Sequence, residues 1–231
     1  MAPKTLLLLP GLDGTGNLFT NFVSALPPTL NARIIKYPAD HFLSYTELLN
    51  ELRESIPTEP FVALAESFST PLVLKLAATR LPNLAGLIIC AGFITNPVSG
   101  WLLSMKPLVR PFVFRVSPPD LVLDYFLIGA RAPRELREAV RHTLRHVSPQ
   151  VMVSRIRAVM DCDARDELAR VSVPMLYLQA EHDRLVKKRS FEEIRKLKGD
   201  VTLASISGPH FLLQREAPKA ADLVVQFVST L

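Results

Sequence analysis

Cysteine is scarce in this sequence: Cys90 and Cys162 are the two present. So distant a pair is no disulfide framework and has no metal-ligand spacing, so a reducing compartment, the cytoplasm, is expected. Glycine is sparse beside proline, nine against nineteen, and the prolines punctuate apolar runs, which predicts many stiff turns. Long hydrophobic runs are missing too. The N-terminal "TLLLL" is too short for a signal-peptide core, and nothing approaches the length of a membrane span. What is present is an ordinary globular balance, 48 % apolar and 21 % charged in 231 residues, which fits one large domain or one domain with an insertion.

A net charge of +5 invites an acidic partner. Much of it lies in Arg131, Arg134, Arg137, Arg141, Arg145, Arg155 and Arg157. Four of these, Arg134, Arg137, Arg141 and Arg145, recur at helical spacing and share one face. That face reads first as solvated and partly balanced by Glu135 and Glu138. Attraction to anionic lipid at the periphery of a membrane, or to a phosphorylated substrate, is the alternative. No aromatic-interleaved basic motif accompanies it, so no nucleic-acid partner is expected.

Short apolar runs alternate with amphipathic stretches, the pattern of a mostly parallel central sheet flanked by helices. Strands are predicted over 5–9, 32–38, 60–66, 84–92, 174–180 and 201–206. Helices are predicted over 17–26, 44–55, 69–81, 188–197 and 212–229. Ser44 and Glu47 stand at capping-box spacing, and Pro71 falls in a first helical turn, where proline is tolerated.

Residues 95–160 interrupt this alternation. They carry no convincing strand but several helical stretches: "GWLLSM", "DLVLDYFLI", "RELREAVRHTLRHV" and "PQVMVSRIRAVM". Such a length inside a domain fits a helical insertion and not a loop. The expected organisation is a core of residues 1–94 and 161–231 with a cap of residues 95–160.

A serine hydroxyl is a poor nucleophile at neutral pH, so it needs a base, and the base needs an orienting acid. In an α/β sheet such groups belong just beyond the carboxyl ends of strands. Ser67 follows the strand "FVALAE", Asp183 follows "MLYLQA", and His210 follows "VTLASI". With "LLLLPGLDGTG" after the first strand, this ordered set resembles the α/β-hydrolase superfamily along essentially the whole chain, with residues 95–160 where that fold commonly carries its cap. The resemblance implies a carboxylesterase- or lipase-like serine hydrolase with catalytic Ser67, Asp183 and His210 and no cofactor.

The usual Gly-x-Ser-x-Gly elbow is altered here to Ala65-Glu66-Ser67-Phe68-Ser69. Small residues flank the serine because strand and helix approach closely there, and alanine and serine nearly meet that demand. Ser69 reads as a cap or packing residue, and Glu66 as a residue that tunes the site or fills a variable position. One oxyanion donor would be the Phe68 N–H. The resemblance places the second in the turn after the first strand, on Leu12, with Asp13 the weaker candidate. A phosphate-binding glycine loop is the competing reading of "GLDGTG", but it lacks the lysine of a P-loop and the dinucleotide spacing.

Asp161 and Asp163 compete with Asp183 for the role of acid, yet only Asp183 directly follows a strand. His142 and His146 stand four apart on the arginine-rich helix without an evident third metal ligand, and His41 and His182 read as surface or loop residues. The reading is a hydrolase for a small-molecule carboxylic ester with a hydrophobic acyl group, with Met105, Phe112, Phe114 and Tyr125 as candidate pocket residues. A thioesterase or acyltransferase would use the same triad. A non-catalytic receptor on this scaffold is the third reading, and such proteins often lose the triad that this chain keeps.

Overall fold

A computed structural model describes residues 3–98 and 110–231. Six strands form one sheet: β1 (Thr5–Leu9), β2 (Asn31–Ile34), β3 (Phe61–Glu66), β4 (Leu84–Cys90), β5 (Met175–Ala180) and β6 (Thr202–Ile206). Their order is β2-β1-β3-β4-β5-β6, and every pairing is parallel. The predicted sheet class is borne out. Between β1 and β3 the winding reverses direction, the place where open α/β sheets bind ligands beyond their carboxyl ends.

The four inner strands are nearly continuous apolar runs because both faces of the sheet are covered. Along β1 and β3, alternate residues go to opposite sides. Leu7, Leu9, Ala63 and Ala65 enter one core cluster, while Leu6, Leu8, Val62 and Leu64 enter the other. The first cluster is closed by α2 (Tyr45–Leu52), α3 (Thr70–Ala78), α7 (Arg165–Ala169) and α8 (Lys188–Leu197). The second is closed by α1 (Thr20–Ala25), α9 (Leu212–Arg215) and α10 (Ala217–Val228). The edge strands β2 and β6 are only partly buried, unlike the four between them.

Two boundaries differ from the sequence expectation for a local reason, and a third falls where it was expected. Strand β2 stops at Ile34 because the chain turns toward the loop after β1, where the Tyr37 N–H donates to the Gly14 carbonyl at 2.7 Å. The helix predicted over 212–229 divides at Glu216 (φ −121°, ψ 38°); Pro218 has no N–H to continue a helix from the preceding turn. Helix α2 starts at the expected capping box, with Ser44 and Glu47 bonded reciprocally.

Between β4 and β5, among the described residues, the regular structure is helical apart from one isolated bridge, Thr95 to Asp163, with irregular stretches between the helices. A 3₁₀ segment spans Pro111–Arg115, followed by α4 (Asp120–Leu123), a π-helical turn (Asp124–Ile128), α5 (Arg134–Arg145) and α6 (Pro149–Met160). The helix predicted at "GWLLSM" lies outside the described residues. Leu123, Ile128, Ala132, Leu136 and Val140 make a separate small core, which reaches the sheet domain through Leu18 and Phe211.

No helix among the described residues is long and apolar enough to cross a membrane. Both cysteines are free thiols. Leu64 is fully buried in a central strand, so Leu64→Ala should cost about 3 kcal/mol of stability through lost burial and the cavity left behind. Urea unfolding checks this, and a loss below about 1 kcal/mol would contradict the packing described.

Candidate active site

The residue sequence Glu66-Ser67-Phe68 turns sharply from β3 into α3. Glu66 is still extended (φ −97°, ψ 126°), Ser67 takes φ 46°, and a 3₁₀ turn over Ser67–Ser69 leads into the helix. A positive φ is sterically costly for a residue with a Cβ and marks local strain. Here it lifts the serine above the sheet edge. The Thr70 hydroxyl donates to the Ser67 carbonyl at 2.9 Å and helps fix the turn.

The small residues beside Ser67 have distinct surroundings. Ala65 is fully buried in β3. Ser69 is fully buried too, and its hydroxyl donates to the Pro10 carbonyl in the loop after β1. Its single proton is thereby used, so the Tyr37 hydroxyl, 2.5 Å away, donates to Ser69. Ser69 is not a side-chain cap; it ties the elbow to two other loops. A glycine there, as the common motif has it, would leave the Pro10 carbonyl without its donor.

The structure brings Ser67, Asp183 and His210 together. His210 Nε2 is 3.1 Å from Ser67 Oγ, and His210 Nδ1 is 2.7 Å from Asp183 Oδ2. The other Asp183 oxygen accepts the Leu185 and Val186 N–H groups at 2.8 and 2.9 Å. The carboxylate is thus oriented on one side by backbone and on the other by the imidazole. The competing acid Asp163 is instead paired with Arg165 at the surface. His182 lies in the loop and bonds Ser207 at 3.1 Å.

His210 is almost wholly buried. Burial disfavours the imidazolium, but the Asp183 charge and hydrogen bond, with a further contribution from Glu66, more than offset it. The pKa is held above the ordinary histidine value. Glu66 is buried next to the serine, and desolvation pushes its carboxyl up to about 7, against the opposing Gln214 hydrogen bond (3.1 Å) and the His210 charge. Glu66 therefore sits inside the electrostatic field of the histidine.

Leu12 and Asp13 lie in a turn closed by the Gly14 N–H on the Gly11 carbonyl at 3.0 Å. Asp13 is buried, and its Oδ1 accepts both the Thr15 N–H (2.8 Å) and the Thr15 hydroxyl (2.5 Å). Burial raises its pKa, opposed by Thr15 and by the Arg155 charge. The Phe68 ring is enclosed by Tyr37 and Tyr45 at 6.1 and 5.0 Å between centroids, and the Tyr45 hydroxyl donates to the Phe68 carbonyl at 3.0 Å.

Of the other sequence candidates, Met105 lies outside the described residues. Phe112 is 65 % exposed. Phe114 packs against the cluster of Val147, Val151 and Met152, which Leu12 also touches. Tyr125 is half-exposed, with the Arg184 guanidinium 3.8 Å from its ring centroid, and lines a cavity of about 710 Å³ beside Asp183 together with Phe126, Lys187 and Lys188. The arginine-rich face of α5 is partly spoken for: Arg137 grips Asp124 through two bonds at 2.7 and 2.9 Å, and Arg141 pairs with Asp120.

Sequence reasoning missed Arg155, which it counted only as one of the arginines that carry the net charge. Arg155 is only 2 % exposed. The available signal was its position on α6, at i+4 from Val151 and i+3 from Met152, on an apolar face where an arginine is rarely left unpaired. It missed Gln214 as well, a polar residue inside the short helix after His210.

A six-stranded parallel sheet with a strained serine turn after β3, an aspartate after β5 and a histidine after β6 has the arrangement of an α/β-hydrolase enzyme. The profile of the hydrolase family described as serine aminopeptidase, S33, matches residues 37–217, and the chain belongs to that family. Among solved structures, it is similar to a lipase-esterase related protein from Clostridium acetobutylicum ATCC 824 (TM-score 0.81, 18 % identity, 98 % of this chain and 95 % of that one). It is also similar to an esterase from Exiguobacterium antarcticum (0.79, 17 %, 99 % and 93 %) and to the enol-lactonase from Burkholderia xenovorans LB400 (0.80, 17 %, 99 % and 92 %). No curated protein sequence matches significantly.

Ser69→Ala should destabilise the protein by about 1–3 kcal/mol, because it strands a buried carbonyl and a buried tyrosine hydroxyl. Ser69→Gly should do no better despite restoring the common motif. Thermal unfolding of both variants checks this; a glycine variant as stable as the parent would contradict the role given to the hydroxyl.

Proposed function

We propose that the chain hydrolyses carboxylic esters bearing a hydrophobic acyl group, with Ser67 as nucleophile, His210 as general base and Asp183 as its orienting acid. The observation that carries this reading is the continuous hydrogen-bonded line from Asp183 through both ring nitrogens of His210 to Ser67 Oγ. Ser67 Oγ attacks the ester carbonyl while His210 Nε2 takes its proton. The tetrahedral intermediate collapses as His210 returns that proton to the departing alcohol. Water, deprotonated by the same nitrogen, then cleaves the acyl-enzyme to release the acid and regenerate Ser67.

In this reading the Phe68 and Leu12 N–H groups receive the oxyanion, a charge that preorganised donors stabilise without reorganising. The helices α4 to α6 serve as a cap over the acyl site. The apolar character assigned to the substrate is supported by Leu12, Phe68 and Tyr45, which belong to or pack against one hydrophobic cluster beside the elbow. A thioester would be attacked by the same groups, so paired substrates decide the leaving group.

Turnover of matched oxygen esters and thioesters with two to sixteen acyl carbons tests the proposal. A peak on an oxygen ester of medium or long chain is expected. Ser67→Ala and His210→Ala should each lower kcat by about 10⁴–10⁶. A thioester preference would move the assignment to a thioesterase, and an unchanged Ser67→Ala rate would remove the nucleophile.

The pH dependence follows from the site's charges. Only neutral His210 accepts the serine proton, so kcat/KM should rise with pH and level off above the elevated pKa of the histidine. Glu66 and His210 face each other electrostatically and titrate as a pair. Glu66→Gln keeps the shape and removes the charge that favours imidazolium, so the rising limb should move to lower pH. A pH–rate profile in which that limb stays or moves upward would contradict the role of Glu66.

A further inference from the structure

The guanidinium of Arg155 reaches from α6 into the loop after β1. Its Nη1 donates to the Leu12 carbonyl at 2.9 Å and to the Asp13 carbonyl at 2.6 Å, and its Nη2 donates to the Pro38 carbonyl at 2.8 Å. The same group stands 5.7 Å from the Tyr37 ring centroid and 5.8 Å from that of Phe68. The packing is close: a Cβ at Gly14 would come within 2.5 Å of Nη1, and Gly14 has φ +71°. An arginine buried this deeply, on three carbonyls from two loops, is costly unless every donor is well used.

We propose that Arg155 is a positioning residue that sets the oxyanion hole from the cap side, by holding both donor-bearing segments at once. This rests on the assignment of the Leu12 and Phe68 N–H groups as oxyanion donors. The link to Leu12 runs through planar peptides. Fixing the Asp13 carbonyl orients the Gly14 N–H of the same peptide plane. That N–H holds the Gly11 carbonyl, and the Gly11 carbonyl shares its plane with the Leu12 N–H. The bond to the Leu12 carbonyl fixes the intervening peptide, so three consecutive planes are locked.

The link to Phe68 is steric and electrostatic. The guanidinium faces the Phe68 ring, a contact favourable for a desolvated cation, and with Tyr37 and Tyr45 it confines that ring. Tyr37 is also the residue whose hydroxyl meets Ser69. One cation therefore touches the first-strand loop, the aromatic wall and the residue after the nucleophile. Asp13 supplies a buried countercharge nearby, which opposes the fall that burial imposes on the arginine's pKa.

Arg155→Lys keeps the charge but offers one compact ammonium, which cannot span the Leu12 and Pro38 carbonyls as a planar fork does. Arg155→Met removes the donors with similar bulk. Active serine is counted by end-point fluorophosphonate titration, so that misfolded protein does not enter the rate. The expected result, in whichever variants fold, is a fall of about tenfold or more in kcat per titrated site with KM within about threefold. Inhibition by an alkyl trifluoromethyl ketone, whose serine adduct carries an oxyanion, should weaken in parallel.

A purely structural role predicts fewer titratable sites or a lower Tm with kcat per site equal to the parent's, and that result overturns the proposal. So does a change confined to KM. Failure of the underlying reading looks different: Ser67→Ala would retain turnover, or the parent would show no titratable Ser67.

Discussion

The left-handed backbone at Ser67 is the constraint on which the site depends. A φ of 46° at a residue with a side chain persists only where the surroundings outweigh its cost. Here they do so on every side. Strand β3, fully buried from Phe61 to Glu66, fixes the entry, and helix α3 fixes the exit. Ser69 and Thr70 then bind the turn to the Pro10 carbonyl and to the Ser67 carbonyl. The strain aims one hydroxyl at one imidazole nitrogen.

Five loops meet at this point, after β1, β2, β3, β5 and β6, and the segment between β4 and β5 braces three of them. Arg155 of α6 holds the loops after β1 and β2. On the other side, the carbonyl of Leu127, within the π-helical turn, accepts the Phe211 N–H at 2.9 Å, directly after His210. Gly129, at φ +75°, lies against Pro209, where a side chain would crowd the histidine loop. π turns are frequent at functional sites, and this one carries the Leu127 carbonyl that meets the histidine loop. In this account the residues proposed to cover the substrate also hold the oxyanion loop and the histidine loop in place.

Much of this was legible in the sequence. Buried strands announce themselves as short apolar runs, and a serine, an aspartate and a histidine after three of them mark strand ends with little ambiguity. The capping box of α2 and the proline entry of α3 are local features, and local features read well. What could not be read depends on contacts distant in sequence. Ser69 meets Pro10 and Tyr37 across 59 and 32 residues, and Arg155 meets Leu12 across 143. No spacing rule connects such partners. Arg155 was obscured further by its neighbours, since an arginine among arginines reads as surface charge until burial is known. Glu66 had two readings in sequence because its significance lies in desolvation and in its distance from His210, neither of which a motif encodes.

The central claim is that one strained serine, and no other, is the reactive nucleophile. Treating the protein with a fluorophosphonate and mapping the modified peptide by mass spectrometry tests it most directly. The account predicts stoichiometric modification on Ser67, abolished in His210→Ala because the hydroxyl then lacks its base. Modification at a different serine, or none on folded protein, would contradict it.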